Sequence, residues 1–109
     1  MQEWNQYNES GNRHGYWEEY FLTTGLIETK GVYNDGLKHG YWEEFWANGN
    51  ISYRETYKNG IRHGEQISFW SNGQIESHGV YINGEKCGYW KYTTSRHTTI
   101  EYELFFARM

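Results

Sequence analysis

The sequence predicts an all-β protein, an elongated and twisted antiparallel meander of about four β-hairpin repeats in a single sheet. Three observations favour this fold class. Glycines recur with one period, Asn-Gly or Asp-Gly pairs separate short runs of residues, and aromatic residues supply 20% of the chain. Aromatic side chains suit the pleated, half-buried surface of a sheet. No run of useful length has the period of a helix, so we expect strands throughout.

Three sets of glycines keep nearly the same spacing, which is the strongest sign of an internal repeat. The first set precedes the aromatic pairs, with spacings of 25, 24 and 24 residues, and consists of Gly15, Gly40, Gly64 and Gly88. The second set has the same spacings and consists of Gly11, Gly36, Gly60 and Gly84. The third set is Gly25, Gly49 and Gly73. The repeat unit is therefore about 24 residues long.

The period divides residues 1–109 into the parts of one small domain, since 109 residues suffice for no more. The predicted parts are a half-repeat at 4–14, repeats at 15–39, 40–63 and 64–87, and a C-terminal cap repeat at 88–109. The segment "TTIEYELFFARM" aligns as a final second strand without the glycines. Terminal units of repeat arrays are commonly atypical in this way.

Each unit contains two short runs joined by turn residues, as in "YWEEFW", "ANGN" and "ISYRETY". Asn-Gly favours a two-residue type I′ turn, so we place Asn48 and Gly49 at the tip of a hairpin. The register follows from this turn. The predicted pairs are Trp46–Ile51, Glu44–Tyr53 and Trp42–Glu55 on one face, and Phe45–Ser52, Glu43–Arg54 and Tyr41–Thr56 on the other.

The first hairpin is predicted to have a three-residue TTG loop. Its predicted pairs are Phe21–Ile27, Trp17–Gly31 and Glu18–Lys30. Opposite charges would then face each other in Glu18–Lys30 and Glu43–Arg54, and each such pair contributes about 0.2–1 kcal/mol. We also expect the Trp17 indole to cover the bare backbone of Gly31.

The register sorts the apolar residues onto two faces. The face that we expect to be better buried carries Trp17, Phe21, Ile27, Trp42, Trp46, Ile51, Trp70 and Ile75. The other face carries Tyr16, Tyr20, Tyr41, Phe45, Ile67 and Phe69 among charged residues. One sheet of this size cannot hide 22 aromatic residues, so some aromatic surface should stay exposed as an interaction site.

Charge and composition narrow the classes of partner and compartment. The formal net charge of −4 argues against nucleic acid and anionic membranes, and it is compatible with a basic protein partner. Cys87 is the single cysteine. No apolar run is long enough to span a bilayer, and the first residues do not resemble a signal peptide. We therefore expect a cytoplasmic protein in a reducing compartment.

Catalytic and metal-binding interpretations are less favoured than structural ones. Glu19 and Glu44 are predicted to share a face about two strands apart, at a separation of ~10 Å that approaches that of inverting glycosidases, but the repeat explains them without chemistry. His14, His39, His63 and Cys87 form a ladder with the same spacing. Its rungs are ~9–10 Å apart, too far to share one zinc ion. We predict no catalytic residue, no metal site and no cofactor.

The unit "GYWEEFWANGNISYRETYKNGIRHG" resembles the MORN repeat in its bacterial variant, and the resemblance extends from about Tyr7 to Phe106. It implies an elongated twisted sheet of stacked hairpins. Bacterial proteins of this type are often grouped as YwqK-like antitoxins or immunity proteins, and other MORN repeats act as protein-interaction and assembly modules. The "EQI" at 65–67 departs from the aromatic pair and would weaken an aromatic ladder locally.

We therefore expect a non-enzymatic binding module that neutralises a basic toxin or effector, as an immunity protein or antitoxin does. The predicted partner-binding residues are Tyr41, Trp42, Glu43, Glu44, Phe45, Trp46, Phe69 and Trp70. The alternative is a scaffold that self-associates, for example as a homodimer, through a sheet edge or its aromatic face. The last strand, "EYELFF", is the edge best suited to such pairing.

Overall fold

The computed structural model describes residues 3–94 and 100–106, which form one open antiparallel sheet. Its strands are β1 (Gln6–Tyr7), β2 (Arg13–Tyr20), β3 (Ile27–Asn34), β4 (Leu37–Phe45), β5 (Ile51–Lys58), β6 (Ile61–Arg62), β7 (Gly64–Phe69), β8 (Ile75–Ile82), β9 (Glu85–Thr93) and β10 (Ile100–Phe105). Strands lie side by side in chain order, and the short β6 pairs with β5 beside β7. The predicted all-β meander of hairpins is confirmed.

The sheet is a single layer. Its principal extents are 49 × 41 × 15 Å, so the thin dimension holds one sheet with its side chains. Among the described residues, the buried apolar side chains are Trp17, Trp42, Phe69 and Trp90. Residues 3–94 and 100–106 contain no helix with the length and apolar character needed to cross a membrane. Stability must therefore come from contacts between neighbouring strands, because no second layer covers this sheet.

One edge of the sheet carries the rear turns, which we define as Asp35-Gly36, Asn59-Gly60 and Asn83-Gly84. Both residues of each rear turn have positive φ, with values of 48–50° for the Asp or Asn and 85–88° for the Gly. This is the geometry of a type I′ turn, which matches the right-handed twist of the flanking strands. The turn type predicted from Asn-Gly and Asp-Gly is therefore confirmed at the rear turns.

The opposite edge carries the front turns, where the two-residue turn predicted at Asn48-Gly49 is wrong. Only Gly49 has positive φ there. The Gly49 amide donates to the Trp46 carbonyl at 2.9 Å, and the Trp46 amide donates to the Asn50 carbonyl at 2.8 Å. This is a type I turn followed by a left-handed glycine. The front turn contains three residues because Asn48 stays at negative φ and its side-chain oxygen accepts the Asn50 amide.

A β-bulge beside each front turn changes the end of the predicted register. The pairs of Tyr41, Trp42, Glu43 and Glu44 are confirmed, but Phe45 pairs with Ile51 instead of Ser52. The predicted Trp46–Ile51 pair is consequently wrong. In the first hairpin, Trp17–Gly31 and Glu18–Lys30 are confirmed, whereas Tyr20 takes the place predicted for Phe21 opposite Ile27. The extra residue of each bulge, such as Ser52, compensates for the longer turn.

Indole rings packed on bare glycine backbone hold neighbouring hairpins together. A Cβ on Gly31 would collide with the Trp42 ring, and a Cβ on Gly79 would collide with the Trp90 ring. The Trp42 Nε1–H donates to the Val32 carbonyl at 2.9 Å. The predicted cover of Gly31 by Trp17 is wrong, because the register places the indole of the following strand, β4, on that glycine.

The predicted division into a better buried and a more exposed face holds at the strand centres. Trp17 and Trp42 are buried, while Tyr16, Tyr20 and Tyr41 are exposed. It fails near the front turns. Trp46 and Ile75, predicted on the better buried face, are exposed, and Phe69 from the other face is buried. The bulges explain this, because they shift the register just before these residues.

Gly31→Ala should destabilise the sheet by about 1–3 kcal/mol, because the added methyl overpacks the Trp42 ring. Urea unfolding monitored by tryptophan fluorescence measures this. Val32→Ala is the matched control: it lies one residue away on the exposed face, and the expected loss is under about 1 kcal/mol. Equal losses in the two variants would contradict the packing described above.

Candidate interaction surfaces

The histidine ladder links the rear turns of successive hairpins. The Asp35 amide donates to His14 Nδ1 at 3.0 Å. Asn59 and His39 repeat this bond at 3.2 Å, and Asn83 and His63 repeat it at 3.1 Å. Next to each bond, the turn glycine donates its amide to the previous hairpin, as Gly36 does to the Arg13 carbonyl at 2.8 Å. The histidines thus satisfy backbone amides, which gives them a structural role.

The structure places the other catalytic and metal candidates apart. Within residues 3–94 and 100–106, no group of three or more His, Cys, Asp or Glu residues is arranged to hold a metal ion. Glu19 and Glu44 both pair with Thr29, so they lie two strands apart as predicted. Each carboxylate has a cation from its own strand, at 2.7 Å for Arg13–Glu19 and 3.9 Å for Lys38–Glu44. The two acids thus occupy equivalent positions of the repeat and form equivalent ion pairs within their strands.

The face opposite the buried indoles, here called the open face, carries a row of exposed apolar side chains from β2 to β10. Cross-strand pairing joins Tyr16 to Val32, Glu65 to Val80, and Tyr89 to Leu104. The apolar members of the row are between 39% and 72% exposed and are Tyr16, Val32, Tyr41, Val80, Tyr89 and Leu104. Thr56 and Glu65 separate the row into an apolar group on β2–β4 and another on β8–β10, and grouped exposed apolar side chains of this kind mark interaction sites.

A charged row runs beside the apolar row on the open face. Glu43 lies between Lys30 and Arg54, with N–O distances of 3.4 and 3.8 Å. The ion pair of Lys30 is thus with Glu43, while its cross-strand neighbour Glu18 accepts hydrogen bonds from the hydroxyls of Tyr16 and Tyr20. These hydrogen bonds, that of Tyr20 first, lower the pKa of Glu18. Burial and the bond to Glu18 raise the pKa of Tyr16 to about 12.

The indole face carries cations that sequence reasoning missed. Arg13 lies 4.3 Å from the Trp17 ring centroid, Lys38 lies 4.8 Å from that of Trp42, and Lys86 lies 4.7 Å from that of Trp90. Cations at such distances are attracted to the ring face. The signal was present in "RHG", "KHG" and "KCG", where a basic residue comes four positions before each Trp. These cations cover the indoles that a second layer would otherwise cover.

The third hairpin breaks the indole row with a buried polar pair. Gln66 occupies the Trp position at 5% exposure, and Glu55 occupies the position of Gly31 and Gly79 at 6% exposure. The Glu55 carboxylate pairs with Arg62 at 3.1 Å and accepts the Tyr57 hydroxyl at 2.7 Å. Burial, then this bond, raises the pKa of Tyr57 to about 12. No described residue bonds the buried Gln66 Oε1.

The structure does not gather the predicted partner-binding residues on one surface. Tyr41 and Glu43 lie on the open face, whereas Trp42, at 2% exposure, lies under Lys38 on the indole face. Glu44 also lies on the indole face, next to Lys38. The other four predicted residues lie at or directly after the front ends of β4 and β7, and they are Phe45, Trp46, Phe69 and Trp70.

The two front tryptophans connect successive hairpins. Trp46 Nε1–H donates to the Phe69 carbonyl, and Trp70 Nε1–H donates to the Thr93 carbonyl, both at 3.1 Å. Phe69 is buried and has the Arg54 guanidinium 5.5 Å from its ring centroid. Glu44, Phe45 and Trp46 of the predicted set line one concave site, the front cleft, which has a volume of about 450 Å³. Its other lining residues are Phe21, Glu28, Thr29, Ala47 and Ser52.

His39→Ala should speed hydrogen exchange at the Asn59 amide about fivefold, since a lost hydrogen bond costs about 1 kcal/mol. Amide exchange followed by NMR measures this residue by residue. The matched control is His78→Ala, which removes an exposed ring that faces Glu65 and touches no rear turn. If Asn59 exchanges at an unchanged rate in His39→Ala, the ladder does not hold the turns.

Comparison with protein families gives two matches within the chain. No curated protein matches the sequence. MORN repeats are in general protein- or membrane-binding modules and are not typically enzymatic. Residues 38–59 and residues 62–83, which span strands β4–β5 and β7–β8, each match the family described as the MORN repeat variant.

Proposed function

We propose that this protein is a non-enzymatic module that binds a protein partner on its open face and neutralises it, in the manner of an immunity protein or antitoxin. The observation that carries the proposal is the exposed row of Tyr16, Val32, Tyr41, Val80, Tyr89 and Leu104. The indole face is less suited to docking, because cations and ion pairs already cover its rings.

The row has the composition of a protein-binding surface. Tyrosine combines a large apolar ring with a hydroxyl that can stay hydrated, and it is enriched among residues that dominate binding energy. Tyr41 and Tyr89 are 53% and 72% exposed, so they could lose much apolar surface to a partner. The charged row beside them supplies orientation through Glu43, Lys30 and Arg54. An apolar centre with a polar border is typical of such interfaces.

The charge balance favours a basic partner. The net charge of the chain is −4. Part of the acidic excess lies near the front edge, at Glu28 and Glu76, which are equivalent bulge residues of the first and third hairpins. Long-range attraction to a basic protein would raise the association rate more than the final affinity.

Replacing Tyr41 and Tyr89 together by Ala should weaken binding to a neutralised partner by about tenfold or more, because both are large exposed rings, one in each half of the row. The candidate partner is the product of the neighbouring gene, and titration calorimetry of the purified pair measures affinity. Co-expression measures rescue of growth. Leu22→Ala is the matched control, since Leu22 is fully exposed on a front turn away from the row.

The proposal requires that binding and rescue fall together in the double variant while the Leu22 variant keeps both. It is contradicted if the unaltered protein neither binds nor rescues. It is also contradicted if the double variant binds as tightly as the unaltered protein.

A second function, self-assembly through the sheet edge, is favoured by β10. This six-residue strand pairs only with β9 among the described residues, and its side chains Ile100, Tyr102 and Leu104 are exposed. An unpaired edge of this kind is a template for another strand.

Light scattering after size exclusion, repeated over a hundredfold range of concentration, tests the assembly function. If the protein assembles through β10, the unaltered protein should form dimers and the Leu104→Lys variant should be monomeric, because lysine on an edge strand opposes pairing. Val80→Lys places the same charge on an internal strand of the open face and is the control. A chain that stays monomeric throughout rules out this second function.

A further inference from the structure

We propose that the front cleft recognises a basic side chain, the ammonium of lysine or the guanidinium of arginine, presented by a protein partner. This proposal rests on the proposed function for the source of the side chain. The proposal assigns a chemical specificity to the front cleft, whereas the exposed row of the open face indicates no such specificity. The cleft lies at the front edge of the sheet, between the first and second hairpins.

The walls of the cleft are aromatic. Phe21 comes from the end of the first hairpin, and Phe45 and Trp46 come from the end of β4. Trp46 is 39% exposed, and its Nε1–H is already bonded to the Phe69 carbonyl, which fixes the plane of the indole. Aromatic faces attract cations and also accept the apolar stem of a lysine or arginine.

Two carboxylates line the same cleft. Glu44 is 3.9 Å from Lys38, a loose contact, and Lys38 also lies against the rings of Trp42 and Tyr57. No described residue forms a hydrogen bond or an ion pair with the side chain of Glu28, although the bulge holds it at the cleft. Two acids near one ammonium leave the site one charge negative, which suits a cationic ligand.

Ser52 adds a hydroxyl group to the lining of the cleft. It is the extra residue of the bulge in β5, it is 8% exposed, and it lines the cleft. Among the described residues, none forms a hydrogen bond with its hydroxyl. The hydroxyl oxygen is accessible in the cleft, where a ligand ammonium or guanidinium would donate to it.

The next repeat shows that this combination is specific to one site. The position of Glu44 is Ser68 in β7, and the hydroxyl of Ser68 donates to Glu76 at 3.1 Å. In the second hairpin the bulge residue equivalent to Glu28 is Ser52, which is not an acid, and in the third hairpin it is Glu76, which has Ser68 as a partner. The equivalent of Phe45 is Phe69, which is buried. Among the described hairpins, the combination of Glu44 with an unpaired bulge acid therefore occurs once, at the front cleft.

NMR titration with Nα-acetyl-lysine methylamide and Nα-acetyl-arginine methylamide tests the site directly. At least one of these probes should shift the Trp46 indole N–H and the Ala47 amide in a saturable way. The uncharged probe Nα-acetyl-norleucine methylamide, which keeps the apolar stem, should leave them almost unchanged. Replacing Glu28 and Glu44 together by Gln should weaken binding about fivefold or more. Glu76→Gln is the matched control, since it changes the equivalent acid outside the cleft.

Absence of a Trp46 shift with both cationic probes would overturn the assignment, and so would an equal shift with norleucine. The comparison of probes on the unaltered protein needs no variant, so a folding defect in the double variant leaves the test intact. The outcome is separate from that for the open face, because the probes need no partner. Loss of partner binding in the Tyr41 and Tyr89 variant bears only on the proposed function.

Discussion

The packing of an indole ring on bare glycine backbone is the interaction on which the rest of this structure depends. A sheet 15 Å thick has no second layer to bury its apolar residues. Trp42 on Gly31 and Trp90 on Gly79 nevertheless reach 2% and 1% exposure. They do so because the glycine lets the ring lie against the backbone, while a cation such as Lys38 or Lys86 covers its outer face. The first hairpin is thereby fixed to the second, and the third to the fourth.

Two backbone ladders work with these rings along the sheet edges. At the rear, each histidine accepts an amide from the following turn, and at the front Trp46 and Trp70 donate to the next hairpin. These bonds satisfy groups that an isolated hairpin would leave to water. Because the three sets of contacts bury the rings of one face and satisfy both edges, the opposite face is free to carry exposed tyrosines. Because one face carries the stabilising contacts and the other carries exposed tyrosines, a binding function is compatible with a one-layer fold.

Much of this fold could be predicted from the sequence because the repeat constrains it at several levels. The glycine period predicted the hairpins, and the Asn-Gly and Asp-Gly pairs predicted the type I′ geometry found at turns such as Asn59-Gly60. The register predicted from Asn48-Gly49 is correct at Glu43 and Arg54, because the bulge compensates for the longer turn. The front turns could not be predicted, because Asn48-Gly49 is the same dipeptide as the rear turn Asn59-Gly60. Only the bulge beside Asn48-Gly49 and its contact with the neighbouring loop distinguish the two turns. The front cleft was predicted only in part, through Glu44, Phe45 and Trp46. Eight residues chosen along two strands were split between faces and edges, because a front cleft depends on the bulge at Glu28 and Ser52.

The third hairpin offers the most direct measurement of the central claim, because it lacks both partners of the ring contact. There Gln66 replaces the tryptophan, and Glu55 replaces the glycine on the preceding strand. A double-mutant cycle in urea compares Gln66→Trp, Glu55→Gly and the variant that carries both changes. If indole on glycine holds the hairpins together, each single change is destabilising, and the double variant recovers at least about 1 kcal/mol of the summed loss. If Gln66→Trp is tolerated beside Glu55, or if the two losses simply add, the ring does not depend on bare backbone and the account is wrong.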